Sequence, residues 1–469
     1  MSTIPARLLA VIAVFALVAA ACGSGDDDQT GDDDRSGEAA VGETTAGDTA
    51  DAAGETAADD DNGGDTDYEA LGLWDDGPCD GSLDPFVVGN LSPHESPVLS
   101  LIDHVVGLEA AAEAFNARGG ANGACVEVVA CDDQNDFDQA LECVRELDDA
   151  GVVVTLNDAG QIAQAEVSAA FAEAGIPRVG GNVSNLDWDD QNAYPIGASG
   201  TAMTFLMPEA MLLEGTTDLG LVRVDLPAAG AMSSFFESLY GDDGVTFPVD
   251  VPVPAGTTDY TQFVLAVEDG NASGMVIALG EQEAVQVVRA SQQLGSDLPI
   301  VASLGTFSYE NVTEFGDTAE QMIFLWAFPP ATVDEPVYQV LREDLAASDQ
   351  ETMQPENLKT GTMMSWISLY ALLRMIRDEG PSDLGREAIT SMLDDAEDVP
   401  MLGIFGDETW TPAFNYPGVW QRAGMDRWTY WKWDPEAEWH GNEGNFVLGG
   451  EISFSEVLCG SPFGAPEPC

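Results

Sequence analysis

The chain has 469 residues, 45% of them hydrophobic, which is enough for a large core and for roughly three domain-sized units. Against 83 Asp and Glu stand only 15 Lys and Arg, a net charge of −68. That balance excludes nucleic acid as a partner, because binding it needs basic residues that displace counterions, and it favours solubility without naming a ligand.

The chain opens with one early cation, Arg7, and then an uninterrupted apolar run from Leu8 to Ala21. The run is too short to span a bilayer comfortably and reads as a secretory signal. Its end, Val18-Ala19-Ala20-Ala21-Cys22, resembles a bacterial lipobox, in which the Cys becomes the acylated first residue. An ordinary signal peptide with an incidental Cys is the alternative. Residues 23 to about 67 are Gly, Ser, Thr, Ala, Asp and Glu, with runs such as Asp26-Asp27-Asp28. This composition cannot bury enough apolar area to offset chain entropy, so an acidic, extended tether is expected.

From about residue 84 strands and helices alternate. Phe86–Leu91 reads as a strand. A helix follows with Val105, Leu108, Ala112 and Phe115 on one face, ended by Gly119-Gly120. Cys125–Ala130 is the next strand, and Asn135 or Asp136 caps the helix that runs to Ala150. Val152–Leu156 and Ile176–Gly180 are strands around a helix from about Gln161 to Ala174. The pattern resumes after residue 200, with strands at Leu219–Val224, Val245–Val251, Met275–Leu279 and Ile300–Ala302. Strands this apolar, separated by helices, imply parallel sheets covered on both faces, and two successive runs imply two lobes. Near the C-terminus Trp428-Thr429-Tyr430-Trp431-Lys432-Trp433 alternates like a hairpin strand packed on the body.

Apart from Cys22, six cysteines remain: Cys79, Cys125, Cys131, Cys143, Cys459 and Cys469. An exported chain can keep disulfides. Cys131 and Cys143 flank one loop and helix and are the first candidate bond. No CxxC pair occurs and His is rare, so a zinc site is not expected; no cofactor is expected either.

Three segments together resemble the type I periplasmic binding proteins, in particular the branched-chain amino acid group of ABC-transporter receptors. They are Gly107 to Gly120 with its Asn-x-x-Gly-Gly end, Val128 to Asn135, and Asp259-Tyr260-Thr261-Gln262-Phe263, with Gly361 to Arg377 like the family's late amphipathic helix. The resemblance runs over roughly residues 84 to 435. It implies an α/β fold of two Rossmann-like lobes with parallel central sheets joined by a three-crossover hinge, the chain crossing near residues 198, 328 and 405. The expected organisation is a signal peptide at 1–21 and a tether at 22–67. The first lobe takes 84–198 plus 329–405, the second 199–328 plus 406–440, and a disulfide-containing tail follows at 441–469.

Ligands of open α/β sheets sit beyond the carboxyl ends of the strands. In the resembled fold those loops supply the candidate contacts Ser92, His94 and Glu95; Asp158, Ala159 and Gly160; Val183 and Ser184; Ser199; Glu281; and Gly305. The Asn157–Gln161 loop opens a helix whose N–H groups favour an anion, and the resemblance gives the Ser184 hydroxyl a role in holding a ligand carboxylate. The sequence departs from the amino acid binders at two places. Ala198-Ser199-Gly200-Thr201 and the region of Leu304 carry no acid to pair with an ammonium. The expected function is therefore an extracytoplasmic binding protein, monomeric and anchored to the outer face of the cell membrane only through lipidated Cys22. It would close on a small polar molecule (amino acid-like, a carboxylate or an amide) and deliver it to the permease of an ABC importer. A lipoprotein that senses the ligand and signals to a membrane partner is the alternative. An enzyme is not expected, since GxSxG, HExxH, GxxxxGK[ST] and GxGxxG are all absent.

Overall fold

The structure is a computed structural model. It describes residues 68–94, 100–159, 164–180, 190–197, 200–225, 229–348, 350–381, 383–401, 403–404, 409–413 and 427–459. The expected signal peptide and tether, Cys22, Glu95, Gly160, Val183, Ser184 and Ser199 lie outside the described residues, as does everything beyond Cys459.

The first sheet is built from β1 (Phe86–Ser92), β2 (Val126–Asp132), β3 (Val154–Leu156), β4 (Arg178–Val179) and β5 (Ala193–Tyr194). Its order is β2-β1-β3-β4-β5, parallel throughout. Helices α1 (Ile102–Ala117), α2 (Phe137–Asp149) and α3 (Gln164–Ala174) connect these strands. The predicted apolar face of α1 is the buried one: Val105, Leu108, Ala112 and Phe115 are all in the core. Asp136 caps α2 by accepting from the Gln139 N–H at 2.9 Å, and Gly151 closes it at φ +77°.

The chain then enters a second sheet through α4 (Gly200–Leu213). There follow β6 (Asp218–Val224), α5 (Met232–Tyr240), β7 (Thr246–Val253), α6 (Thr261–Asp269), β8 (Gly274–Ala278), α7 (Glu281–Leu294), β9 (Ile300–Ser303), α8 (Tyr309–Glu314) and β10 (Met322–Trp326). The order β7-β6-β8-β9-β10 is parallel and repeats the pattern of the first sheet. Helices α9 (Pro336–Ala346), α10 (Thr360–Glu379) and α11 (Arg386–Asp395) return to the first lobe, and a short ladder pairs β11 (Val399–Pro400) with β12 (Thr409–Trp410). Finally β13 (Arg427–Trp439) pairs antiparallel with β10 and with β14 (Asn442–Ser453), and α12 (Phe454–Leu458) follows.

The tryptophan-rich strand β13 is covered on both faces. Trp428 and Tyr430 belong to one hydrophobic cluster and Trp431 and Trp433 to the other, as a period of two requires. Lys432 leaves toward solvent and pairs with Glu214 at 2.8 Å. The segment from residue 441, expected as a separate tail, begins instead as β14, the edge strand of the second sheet. The physical reason is that β13 offers a full row of backbone groups and Phe446 and Ile452 to bury.

A segment that the sequence analysis leaves unassigned, Tyr68–Cys79, is a strap across α1 and α10. Leu73 and Trp74 are buried, Arg374 donates to the Gly72 carbonyl at 2.7 Å, Arg377 pairs with Asp76, and Cys79 is disulfide-bonded to Cys125. Cys131 and Cys143 are bonded to each other, with Cα atoms 5.5 Å apart, and Cys459 is also in a disulfide.

Candidate functional site

In an open parallel sheet the crevice for a ligand opens where strand order reverses, because neighbouring connections there leave on opposite faces. Both sheets have such a point: between β1 and β3 in the first, and between β6 and β8 in the second. At the first, the ladder ends after Gly89↔Thr155. The Asn90 amide fills the gap, donating to the Leu156 and Asn157 carbonyls at 3.0 Å each, and accepting from the Ser92 hydroxyl at 2.6 Å. Buried backbone carbonyls that lose a ladder partner need such a replacement.

Behind this edge lies a buried polar knot. Asn157, held at φ +50°, donates from Nδ2 to the Ser365 hydroxyl at 2.7 Å and approaches His104 Nδ1 at 3.2 Å. Ser365 in turn donates to the His104 carbonyl at 2.7 Å. Asn157, Ser365 and His104 come from β3's end, α10 and α1, so the knot fixes three elements to one another. Burial pushes the His104 imidazole down to about 4; the Asn157 backbone works against that shift and the charge of Lys359 adds to it. At the end of β2, burial raises the pKa of the fully buried Asp133, the Asn135 N–H opposes that shift, and Asp132 adds to it. Its Oδ2 has no hydrogen-bond partner among the described residues.

The predicted contact residues fall along these edges. Ser92 is the buried last residue of β1. The His94 N–H donates to Asp132 Oδ1 at 2.7 Å, and its carbonyl accepts from the Ser100 hydroxyl at 2.6 Å. Asp158 is buried and ion-paired with Arg178 at 2.7 Å, so its carboxylate is already engaged by the protein. The Ala159 N–H is likewise taken, donating to the Leu91 carbonyl at 3.0 Å. Ser92, His94, Asp158 and Ala159 are thus brought to one edge of the first sheet. Glu281 and Gly305 stand on the second sheet: Glu281 opens α7, and Gly305 lies in the turn after β9. A Cβ on Gly305 would come within 2.9 Å of the Trp326 ring, so the ring at the end of β10 rests on that backbone.

Several site residues were not legible in the sequence. Arg223, at the end of β6, lies 2.6 Å from Asp250, whose other oxygen accepts from Ser233. The Arg223 Nε–H is not directed at the near oxygen, so this contact is Coulombic rather than a hydrogen bond. Gly180, at φ +73°, passes so close to α10 that a Cβ would stand 1.9 Å from the Ser368 hydroxyl. Only glycine fits such an approach.

The passages between the sheets are held together. Trp410, fully buried, donates from Nε1 to the Pro195 carbonyl at 2.9 Å. A Cβ on Gly197 would meet the Phe328 ring at 2.8 Å. Arg342 donates to the Ala331 and Val333 carbonyls at 2.6 and 3.0 Å. The segment at 195–197 therefore packs on both Trp410 and Phe328, and α9 holds the segment at 331–333. Among the described residues no group of His, Cys, Asp and Glu is placed to hold a metal ion, and no helix is long and apolar enough to cross a membrane.

Two matching α/β lobes, each with its own switch point, define a two-lobed α/β protein. The chain belongs to the periplasmic binding protein family, whose sequence profile matches residues 85–417. No curated protein matches it. Among solved structures it is similar to an ABC transporter solute-binding protein from R. palustris in complex with 4-hydroxybenzoate (14% identity, 79% of this chain and 97% of that one, TM-score 0.62). It is also similar to a fatty acid ABC transporter substrate-binding protein from Thermomonospora curvata (15%, 81% and 95%, 0.60). A third is an ABC transporter substrate-binding protein from Sphaerobacter thermophilus (17%, 79% and 98%, 0.60). These likenesses show the fold.

Proposed function

We propose that the chain is an exported, lipid-anchored solute-binding protein that captures a small polar molecule by closing two lobes on it and hands it to the permease of an ABC importer. The observation that carries this reading is the pair of equivalent switch points on two α/β lobes of matching topology. A ligand that touches both lobes at once shifts such a protein toward its closed state by its differential affinity for that state.

The first lobe's edge is polar, with Ser92, Asn90 and Asn157. The second lobe's edge carries Trp326 and the buried Leu304. No acid stands at Leu304 to pair with an ammonium, which disfavours a free amino acid and favours a carboxylate or amide with an apolar body. The 4-hydroxybenzoate and fatty acid named for two structural relatives are ligands of that description. The lipid anchor rests on Val18–Cys22 and the acidic run to residue 67.

A thermal-shift screen of amino acids, aromatic and aliphatic carboxylates, amides and sugars tests the reading. A ligand at about 100 times its dissociation constant adds roughly 2.7 kcal/mol of native stability. We expect a carboxylate or amide to raise the melting temperature and Ser184→Ala to weaken the response; a broad library without any response would refute a binding role.

A further inference from the structure

Arg178, the first residue of β4, is half-buried, with 11% of its side chain exposed, between two aspartates that lie on different turns. Its Nε donates to Asp158 Oδ2 at 2.7 Å, and its Nη1 stands 3.7 Å from Asp190 Oδ2. Its guanidinium lies 5.7 Å from the Phe171 ring of α3. Asp158 comes two residues after β3 and also accepts from the Thr155 hydroxyl at 3.3 Å. Asp190 comes three residues before β5 and also accepts from the Ser168 hydroxyl and from the Asn192 N–H at 2.8 Å. Asn192 then donates to the Ile176 carbonyl at 2.6 Å. One cation therefore joins the turn that leaves β3, the turn that leads into β5, and helix α3.

We propose that Arg178 is a positioning residue for the first lobe's half of the cleft: by engaging Asp158 and Asp190 together it anchors the Asn157–Ala159 turn, at the carboxyl end of β3, to the Asp190–Asn192 turn, at the amino end of β5. The inference rests on the reading that this edge receives a small ligand, and it adds which residue sets the edge's shape. The chemistry requires arginine. A planar guanidinium offers several donors in a fixed fork and can serve two carboxylates on different sides, whereas an ammonium is a single point of charge. Without this cation the buried Asp158 would be an uncompensated charge, which is a strongly unfavourable state, and the half-buried Asp190 would lose its nearby cation, so the turns would part or their carboxylates protonate. The turn at Asn157 would carry the effect inward, because its side chain bridges His104 and Ser365.

Hydrogen exchange on the full-length protein without added ligand tests this directly. The reporters are the amides of Asn157, bonded to the Val179 carbonyl at 3.0 Å, and Ala159, bonded to the Leu91 carbonyl at 3.0 Å, on one turn. On the other turn they are Asn192 and Ala193, both bonded to Asp190. In Arg178→Gln both turns should exchange about tenfold faster or more, while strand β8 of the second lobe is unchanged. Arg178→Lys should restore protection at Asn157 and Ala159 but not at Asn192 and Ala193, a partial rescue that a general packing role would not give. Asp190→Asn, which leaves Arg178 and Asp158 paired, should loosen only the second turn, and it serves as the deciding variant if Arg178→Gln does not fold.

Unchanged exchange at either turn in a folded Arg178→Gln, or full protection at both turns in Arg178→Lys, overturns the proposal. The same proteins titrated with sodium 4-hydroxybenzoate, sodium octanoate and benzamide separate it from the functional reading. If the wild type binds none of the three while the exchange pattern holds, the clamp is supported and it is the ligand class that fails.

Discussion

The His104 knot gives the sharpest handle on whether the site is built as described. The Asn157 Nδ2 group has only hydrogens to offer, so His104 Nδ1 must present a lone pair to it at 3.2 Å. A proton on that nitrogen would face the amide hydrogens inside a site that is buried throughout. In the unfolded chain the imidazole titrates at its ordinary 6.5, while in the native state it titrates at about 4. Between those values the unfolded state holds more protons than the folded one, so stability falls as the pH drops from 6.5 toward 4 and changes no further below it. The shift corresponds to about 3 kcal/mol, present in full above pH 6.5 and withdrawn as pH falls. Many carboxylates titrate in the same range, so the quantity to measure is a difference. Urea-unfolding free energies of wild type and His104→Gln, whose side chain can still accept from Asn157, are compared from about pH 7 to about pH 4. The wild type should lose about 3 kcal/mol more than the variant over that interval. A difference that stays constant with pH would show that the imidazole is solvated in the native state, and the knot would be wrong.

Three further outcomes follow from the same packing. Asp344 accepts from both arms of Arg118, at 2.8 and 2.5 Å, and from Trp366 Nε1 at 2.8 Å; Asp344→Ala strands a half-buried cation and a buried indole and should lower stability by about 3 kcal/mol, whereas a change below ~1 kcal/mol in urea titration would count against the pair. The Cys131–Cys143 bond spans 12 residues and the Cys79–Cys125 bond 46. Loop entropy assigns about 3 and about 4 kcal/mol to them, so the Cys79→Ser/Cys125→Ser variant should melt below the Cys131→Ser/Cys143→Ser variant in calorimetry. Trp410→Phe keeps the ring but removes the donor to Pro195, and should destabilise by about 1–3 kcal/mol in the same calorimetry, with no loss if the Pro195 carbonyl finds another donor.

Local signals carried most of the fold. The central strands β1, β3, β6 and β8 are buried on both faces, so each is an apolar run with a turn at its end, and helix stops such as Gly151 mark themselves. Met322–Trp326, as short and apolar as Met275–Leu279, was not assigned; such a run has no period of its own, and what makes it a strand is its pairing with β9 and β13. Of the site, the loops at strand ends were legible and their wiring was not. His104 falls on the apolar face of α1, four residues before Leu108, which forecasts burial. Its partners Asn157 and Ser365 stand 53 and 261 residues away, and nothing local announces them. Asp158 and Ala159 illustrate the converse: their loop was found, but the carboxylate belongs to Arg178 and the N–H to Leu91. The Tyr68–Cys79 strap was overlooked because its Gly and Asp content resembles the preceding acidic run; Tyr68, Leu71 and Leu73-Trp74 were the apolar signals within it.

The scarcity of cations explains where these joints lie. With 83 acids against 15 bases, the average carboxylate has no partner and gains most by facing water. Arg145, Arg289 and Arg427 pair with acids on that surface, but other arginines turn inward. Arg118 reaches Asp344 across 226 positions of sequence, Arg374 reaches the Gly72 carbonyl across 302, and Arg386 reaches the Val152 carbonyl across 234. Arg342 holds the passage at Ala331, and Arg178 holds two turns at once. Each joins elements that local propensity cannot bring together, and each uses several N–H donors on oxygens at different angles, which lysine cannot do. In so acidic a chain a guanidinium is drawn to many carboxylates of nearly equal attraction, so charge alone would leave its position undecided. Backbone carbonyls and buried indoles beside the chosen acid break that degeneracy: Asp344 is distinguished by Trp366, and the Arg386 site by the carbonyls of Val152 and Ala174. Hydrogen-bond geometry, rather than the sign of the charge, is therefore what makes these contacts specific and lets a few cations fix the geometry of a strongly anionic fold.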